Sequence, residues 1–128
     1  MNLTDEEINN DSLVRRISYG VVDLLMTSDI EKVAESQIVN LGPPLASEVI
    51  KVPHHGSKTS STEAFLDAVV PRFSIFSLGF RNRYGFPAPS VVRRYLSQNC
   101  QVLRTDLSGA ITFRTDGQRI WFDHFISP

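Results

Sequence analysis

One cysteine in 128 residues, Cys100, rules out a disulfide within the chain, so the fold must rest on its apolar core. No apolar run approaches the roughly 20 residues that a helix needs to cross a bilayer. The stretch from Met1 to Asn10 is polar and acidic, unlike a secretory signal. The piece itself is therefore expected to be soluble, which says nothing of a longer parent. A surplus of charge is lacking too: 13 Lys and Arg stand against 14 Asp and Glu, a net charge of -1. That excludes a general pull toward nucleic acid, and any such contact must come from a local patch. With no Gly-x-Ser-x-Gly elbow, a serine hydrolase is unsupported. Repeats, low-complexity segments and linkers are also absent, so residues 1–128 read as one unit. What remains is ordinary globular material, 41% apolar and 21% charged, which should fold rather than stay disordered.

Asn9-Asn10-Asp11 reads as a turn before the apolar stretch Ser12 to Tyr19. Gly20 separates that stretch from Val21 to Met26, and two β-rich runs around one glycine predict a hairpin. Ser28-Asp29-Ile30-Glu31 has the form of a capping box, so a helix is expected from Ile30 to about Val39, stopped by Gly42-Pro43-Pro44. Val49 to Val52 reads as a buried strand leading into Pro53-His54-His55-Gly56. Ser60-Ser61-Thr62-Glu63 is a second capping box, with a helix running to Val70. Phe73 to Leu78 is a further strand. Pro89 is placed to open a third helix, with Val91, Val92, Tyr95 and Leu96 on its buried face. Gln101 to Arg104, Ala110 to Arg114 and Ile120 to Phe122 read as strands, the last two joined by a turn at Thr115-Asp116-Gly117. The order predicts an α/β fold, a mixed sheet with helices on one face.

Three features could carry chemistry. Asp29 and the pair His54-His55 each follow a strand and precede a helix. In an open α/β sheet such loops gather at the carboxyl ends of the strands, where ligand sites form. A carboxylate with imidazoles suits zinc, manganese or iron. Asp29 could equally serve only as negative charge in the first turn of its helix, and paired histidines in a loop can simply be solvated. Neighbouring side chains on a strand point to opposite faces, but Pro53 and Gly56 bend the backbone here, so both imidazoles could turn inward. Gly56 to Ser60 reads either as a helix lead-in capped by Ser60 or as a phosphate site built on a glycine, hydroxyls and Lys58 before a helix. Arg81-Asn82-Arg83-Tyr84, with Arg93 and Arg94, mixes basic and aromatic side chains as a single-strand surface would, although a solvated loop and helix face explains them as well. Trp121 reads as core, and His124 as structural or exposed.

The run Val52-Pro53-His54-His55-Gly56-Ser57-Lys58-Thr59-Ser60-Ser61 resembles the metallo-β-lactamase domain of the ComEC/Rec competence proteins. The likeness extends to Asn10 through Arg15 with Tyr19-Gly20, to Leu25 through Glu31 at that domain's Thr-Gly-Asp segment, to Asn82 through Pro87 at its Asn-Arg-Tyr-Gly-His-Pro loop, and to Leu103 through Ile111 at its closing strands. The resemblance implies the C-terminal half of an αββα sandwich, four layers with a metal site at one edge. It implies that Asp29 bridges metals, that His55 ligates metal, and that His54 faces the substrate phosphate as a catalytic group beside Asp29. Ser57, Lys58 and Thr59 would bind that phosphate.

It further implies a divalent metal, zinc or manganese, in the intact domain. The parent would be a protein of the bacterial cytoplasmic membrane that internalises DNA, with this domain on the extracytoplasmic side cleaving single-stranded or nicked DNA. Two positions depart from the pattern. Ser28 stands where the family has glycine, and Phe86 stands where it has histidine, which removes any ligand or proton donor there. The family's His-x-His-x-Asp-His cluster lies upstream of the acidic motif and has no counterpart among the three histidines here. The expectation is a fragment whose N-terminal half is its natural partner, with little or no metal bound alone, little activity, and self-association through the exposed sheet. The alternatives are a degenerate binding module of the same fold and an assembly role in DNA uptake.

Overall fold

The computed structural model describes residues 4–126. It begins with α1 (Asp5–Asn10), where Thr4 and Glu7 form a capping box: the Glu7 N–H donates to Thr4 Oγ1 at 3.2 Å and the Thr4 N–H to Glu7 Oε2 at 2.7 Å. The turn expected at Asn9 to Asp11 is thus the end of a helix. Strands β1 (Arg15–Tyr19) and β2 (Val22–Met26) pair antiparallel, as the hairpin reading requires. Next come α2 (Lys32–Leu41), β3 (Val49–Lys51), a tight turn over Pro53–Gly56, α3 (Glu63–Val69) and β4 (Phe73–Phe76). The chain closes with α4 (Pro89–Ser97), β5 (Gln101–Arg104), the single turn α5 (Thr105–Ser108), and the hairpin β6 (Ile111–Thr115) and β7 (Ile120–His124). The β4 strand is two residues shorter than expected at its end.

Five strands form one sheet in the order β1-β2-β3-β4-β5, with β2 to β5 parallel and β1 antiparallel at the edge. Successive parallel neighbours joined by crossovers of one hand must carry their helices on one face. Accordingly Leu25, Ile50 and Phe76 turn toward a core filled by Phe65, Val69 and Tyr95 from α3 and α4. Their neighbours Leu24, Val49 and Ile75 turn the other way, onto a second cluster with Phe113 and Phe122 of the β6–β7 hairpin. The period of two along each strand therefore buries both faces, as a parallel sheet demands. Beside the hairpin, that second face keeps an apolar trough of about 360 Å³ lined by Val22, Leu24, Val49, Ile75 and Ile111.

The two hairpin tips meet backbone to backbone. The Val21 N–H donates to the Gly117 carbonyl at 2.7 Å, and a Cβ on Gly20 would fall 2.2 Å from that same oxygen. Only glycine fits there.

Several local expectations change. The box at Ser28 to Glu31 does not form, because Ser28 adopts φ 51 and its hydroxyl donates to the Leu13 carbonyl at 2.9 Å. Instead Asn10 Oδ1, from the end of α1, accepts from the Glu31 and Ala34 N–H groups at 3.0 and 3.1 Å, so α2 starts at Lys32 and is capped from a distance. Helix α3 is capped by Thr62, whose hydroxyl accepts from the Phe65 N–H at 3.3 Å, rather than by Ser60. Val91 and Tyr95 of α4 are buried as read, whereas Leu96 is exposed. Trp121 is exposed as well, with Arg119 over its ring, because it faces outward from the terminal hairpin.

Ser28 supplies a test. A left-handed backbone costs a non-glycine residue about 1–2 kcal/mol, while glycine loosens the unfolded chain by about 0.4–1 kcal/mol and would forfeit the hydroxyl bond. The terms nearly cancel. Ser28→Gly is expected to stay within about 0.5 kcal/mol of the parent in urea denaturation, and Ser28→Val, β-branched at positive φ, to lose about 2 kcal/mol.

Candidate functional site

Two turns meet at the carboxyl ends of β2 and β3. One carries Asp29, the other His54 and His55, and the His54 N–H donates to the Ser28 carbonyl at 2.9 Å. The Thr27 hydroxyl, fully buried, donates to the Lys51 carbonyl one step further in. Backbone bonds between the loops, not side-chain contacts alone, fix their spacing.

His54 and His55 both lie at positive φ, 49 and 56, followed by Gly56 at 84. This left-handed turn undoes the strand alternation that would send the imidazoles to opposite faces. Their ring centroids are 6.4 Å apart. His55 Nδ1 lies 2.6 Å from the Ser77 carbonyl, which can only accept, so Nδ1 carries the proton. In the neutral ring Nε2 then presents its lone pair, 3.5 Å from Asp29 Oδ1. A protonated Nδ1 tied to a carbonyl is the usual backing of a metal-ligating imidazole. Two atoms about 2.1 Å from one tetrahedral ion would lie about 3.4 Å apart, so the spacing fits a shared cation. Among the described residues no third His, Cys, Asp or Glu converges with these two. The pair is part of a ligand set.

His54 turns to a different partner. Its Nδ1 is 3.2 Å from Glu31 Oε1, close enough for an ion pair if the ring is protonated, although the angle is not that of a hydrogen bond. Glu31 is buried, and the same oxygen accepts from the Thr59 hydroxyl at 2.6 Å, which in turn lies 2.8 Å from Ser57 Oγ. Ser57 and Thr59 thus hold the carboxylate behind His54. Lys58, between them, is exposed. The amides at the start of α3 are occupied: Glu35, fully buried, accepts from the Ser61 and Thr62 N–H groups at 2.6 and 2.8 Å. The anion at that helix end is the protein's own. Burial pushes the Glu35 carboxyl above the ordinary range, against the opposing pull of those two amides and Arg94.

In the sequence Glu31 stands out only as the end of a capping-box pattern, and Glu35 not at all. Their signal was present: acids four apart, on the same helix stripe as Ile30, Ala34 and Ile38, have to be matched by donors. Arg94 is likewise drawn inward, donating to the Ser61 carbonyl at 2.5 Å, which separates it from the basic loop at Arg81 to Tyr84.

Beside His55 opens a cleft of about 370 Å³, walled by Ser77, Asn82, Tyr84, Phe86 and Thr105. Phe86, which stands where the resembled loop has histidine, meets the His54 ring edge-on at 5.7 Å. It offers His54 a wall, not a proton.

The chain is 39% identical over 106 residues to ComE operon protein 3 of Bacillus subtilis (strain 168) and 41% identical over 106 residues to Competence protein ComA of Neisseria gonorrhoeae, covering 83% and 82% of its own length. It is 33% identical over 110 residues to Recombination protein 2 of Haemophilus influenzae. It spans only 14% to 15% of the length of these relatives. No protein-family model matches it. Similarity at this level over four-fifths of the chain makes it homologous to one segment of the competence-protein family that includes ComE operon protein 3 and ComA.

Proposed function

We propose that this chain is the C-terminal half of a metallo-β-lactamase-type αββα domain and carries part of a metal-dependent phosphodiesterase centre that cleaves DNA during uptake. The observation that carries the reading is the pair Asp29–His55: a carboxylate oxygen and an imidazole nitrogen 3.5 Å apart, with the ring's other nitrogen tied to a carbonyl. Asp29 and His55 would hold a divalent cation, zinc or manganese, with further ligands from outside this chain. When bound, such an ion lowers the pKa of a coordinated water and stabilises charge on an attacked phosphoryl group. The chain's own residues do the rest. His54, with the Glu31 carboxylate 3.2 Å from its Nδ1, would face the phosphate, where it can donate or accept a proton. Lys58 offers a cation to the same phosphate, while Ser57 and Thr59 fix the loop and the carboxylate behind His54.

Layering supports the half-domain reading. One sheet face is closed by helices, and the other keeps its apolar trough beside the terminal hairpin. An upstream segment of the parent would cover that trough. In its absence, light scattering should show concentration-dependent self-association of the chain, and a monomer at high concentration would count against it. No helix among the described residues is long and apolar enough to cross a membrane, so the parent's seat in the cytoplasmic membrane, with this domain outside, would rest on other segments.

A second reading, a binding module that has lost catalysis, is favoured by Phe86 and by the convergence of only two ligands among the described residues. The two part on one experiment. In the parent protein, Asp29→Asn and His55→Ala are each expected to lower manganese- or zinc-dependent DNA hydrolysis on the order of 100-fold or more. In the isolated chain each change should abolish any metal binding that calorimetry registers for the unsubstituted chain. Hydrolysis that survives both changes would sink the enzyme reading.

A further inference from the structure

The loop from Gly79 to Pro87 carries side chains that neither the core nor the Asp29–His55 pair uses. Phe80 is 68% exposed and Tyr84 64%. Exposed rings scattered singly need no explanation, but these two share one loop, and each has a guanidinium over its face: Arg81 Cζ is 5.1 Å from the Phe80 centroid and Arg83 Cζ 5.1 Å from that of Tyr84. The loop is also braced from within. Asn82 accepts from the Tyr84 and Phe86 N–H groups at 3.2 and 3.0 Å and donates to the Gly79 and Phe86 carbonyls at 3.2 and 2.7 Å. All four bonds of one amide are spent on holding the rings in place.

The rings form a line. Tyr84 stacks on Phe86 with centroids 5.6 Å apart and planes 22° from parallel, and Phe86 meets His54 at 5.7 Å. Tyr84, Phe86 and His55 border the same cleft, whose volume of about 370 Å³ lies within the usual range for small-ligand sites, and none of the described residues lining it is acidic. Flat rings, planar cations and no carboxylate complement a ligand that is itself flat and negatively charged at regular intervals.

We infer that this loop is a stacking subsite for an unpaired nucleobase of a single-stranded polynucleotide, with Arg81 and Arg83 meeting the flanking phosphates; the inference rests on nucleic acid being the substrate of the neighbouring centre. A base held against Tyr84 places the next phosphodiester at the His55 side of the cleft. A duplex hides its base faces and cannot use the subsite, so the loop would confer preference for single strands. Arg83 now covers one face of Tyr84 and must leave it for a phosphate. That contact is worth roughly 2- to 5-fold in affinity, against roughly 5- to 150-fold for each base stacked on an aromatic ring. The exchange favours the base.

The test is fluorescence anisotropy of a labelled oligothymidylate with the full chain, in chelator so that no divalent metal takes part. Tyr84→Ala is expected to weaken binding about tenfold, Tyr84→Trp to retain it, and an abasic oligonucleotide to bind parent and Tyr84→Ala equally weakly. Arg81→Ala with Arg83→Ala should flatten the dependence of affinity on salt. Thermal melts check that each variant folds. Absent binding of the parent, equal binding of parent and Tyr84→Ala, or equal affinity for abasic, duplex and ordinary single strands would each overturn the inference. None of these results bears on the hydrolase reading, which stands or falls on Asp29, His55 and metal.

Discussion

Glu35→Leu is expected to lower unfolding free energy by about 4 kcal/mol, a large share of the roughly 5–15 kcal/mol that holds a domain together. The carboxylate is fully buried and accepts from two backbone amides, Ser61 and Thr62, at the entrance to α3. Leucine would strand both donors without water, at about 1–3 kcal/mol each. Glu35→Gln keeps the shape and one acceptor but turns an amide N–H toward a backbone N–H, so about 2 kcal/mol should be lost. The same residue sets a pH dependence. Burial raises its pKa in the fold above the ordinary glutamate value of 4.5, so the folded state binds the proton more tightly than the unfolded chain. Its contribution is therefore complete below the unfolded pKa and declines as pH rises through the folded one. Urea titrations from pH 4.5 upward should show this decline in the parent and its absence in Glu35→Gln. A parent whose stability climbs at this residue's expense over that window would contradict the assignment.

Gly56→Ala should lose about 3 kcal/mol and disturb the paired histidines together. A Cβ there would sit 2.7 Å from the Phe76 ring and 2.8 Å from Pro87, and the backbone φ is +84. Phe76 cannot give way, since it is fully buried against Tyr95 with centroids 5.4 Å apart. Overpacking contributes about 1–3 kcal/mol and the left-handed backbone about 1–2 kcal/mol. Gly85 separates the two terms, having φ +70 and nothing within 4 Å of its added Cβ. Gly85→Ala is expected to lose only the backbone part, about 1 kcal/mol. Equal losses at the two positions would mean that the Phe76 contact contributes nothing.

What could be read from residues alone divides along physical lines. Strands and the first-turn proline of α4 were legible because period-two apolar runs and proline geometry act locally. Caps were not. Ser28-x-x-Glu31 has the right spacing, yet Asn10 performs the capping from another helix, and no local pattern records a partner 21 residues away. The nearness of Asp29 to the histidine turn could be anticipated from strand-end loops gathering at one rim. The difference between His54 and His55 could not, because it depends on which ring reaches Ser77 and which reaches Glu31, and both follow from backbone angles.

Three consecutive left-handed residues, His54, His55 and Gly56, also set stability against chemistry at one spot. Glycine or asparagine at the first two positions would suit that backbone better and firm up the protein, yet would strip it of both imidazoles. Selection for thermal robustness alone should replace those two histidines and keep Gly56, so histidines retained there against that pressure would mark a protein still employing its rings.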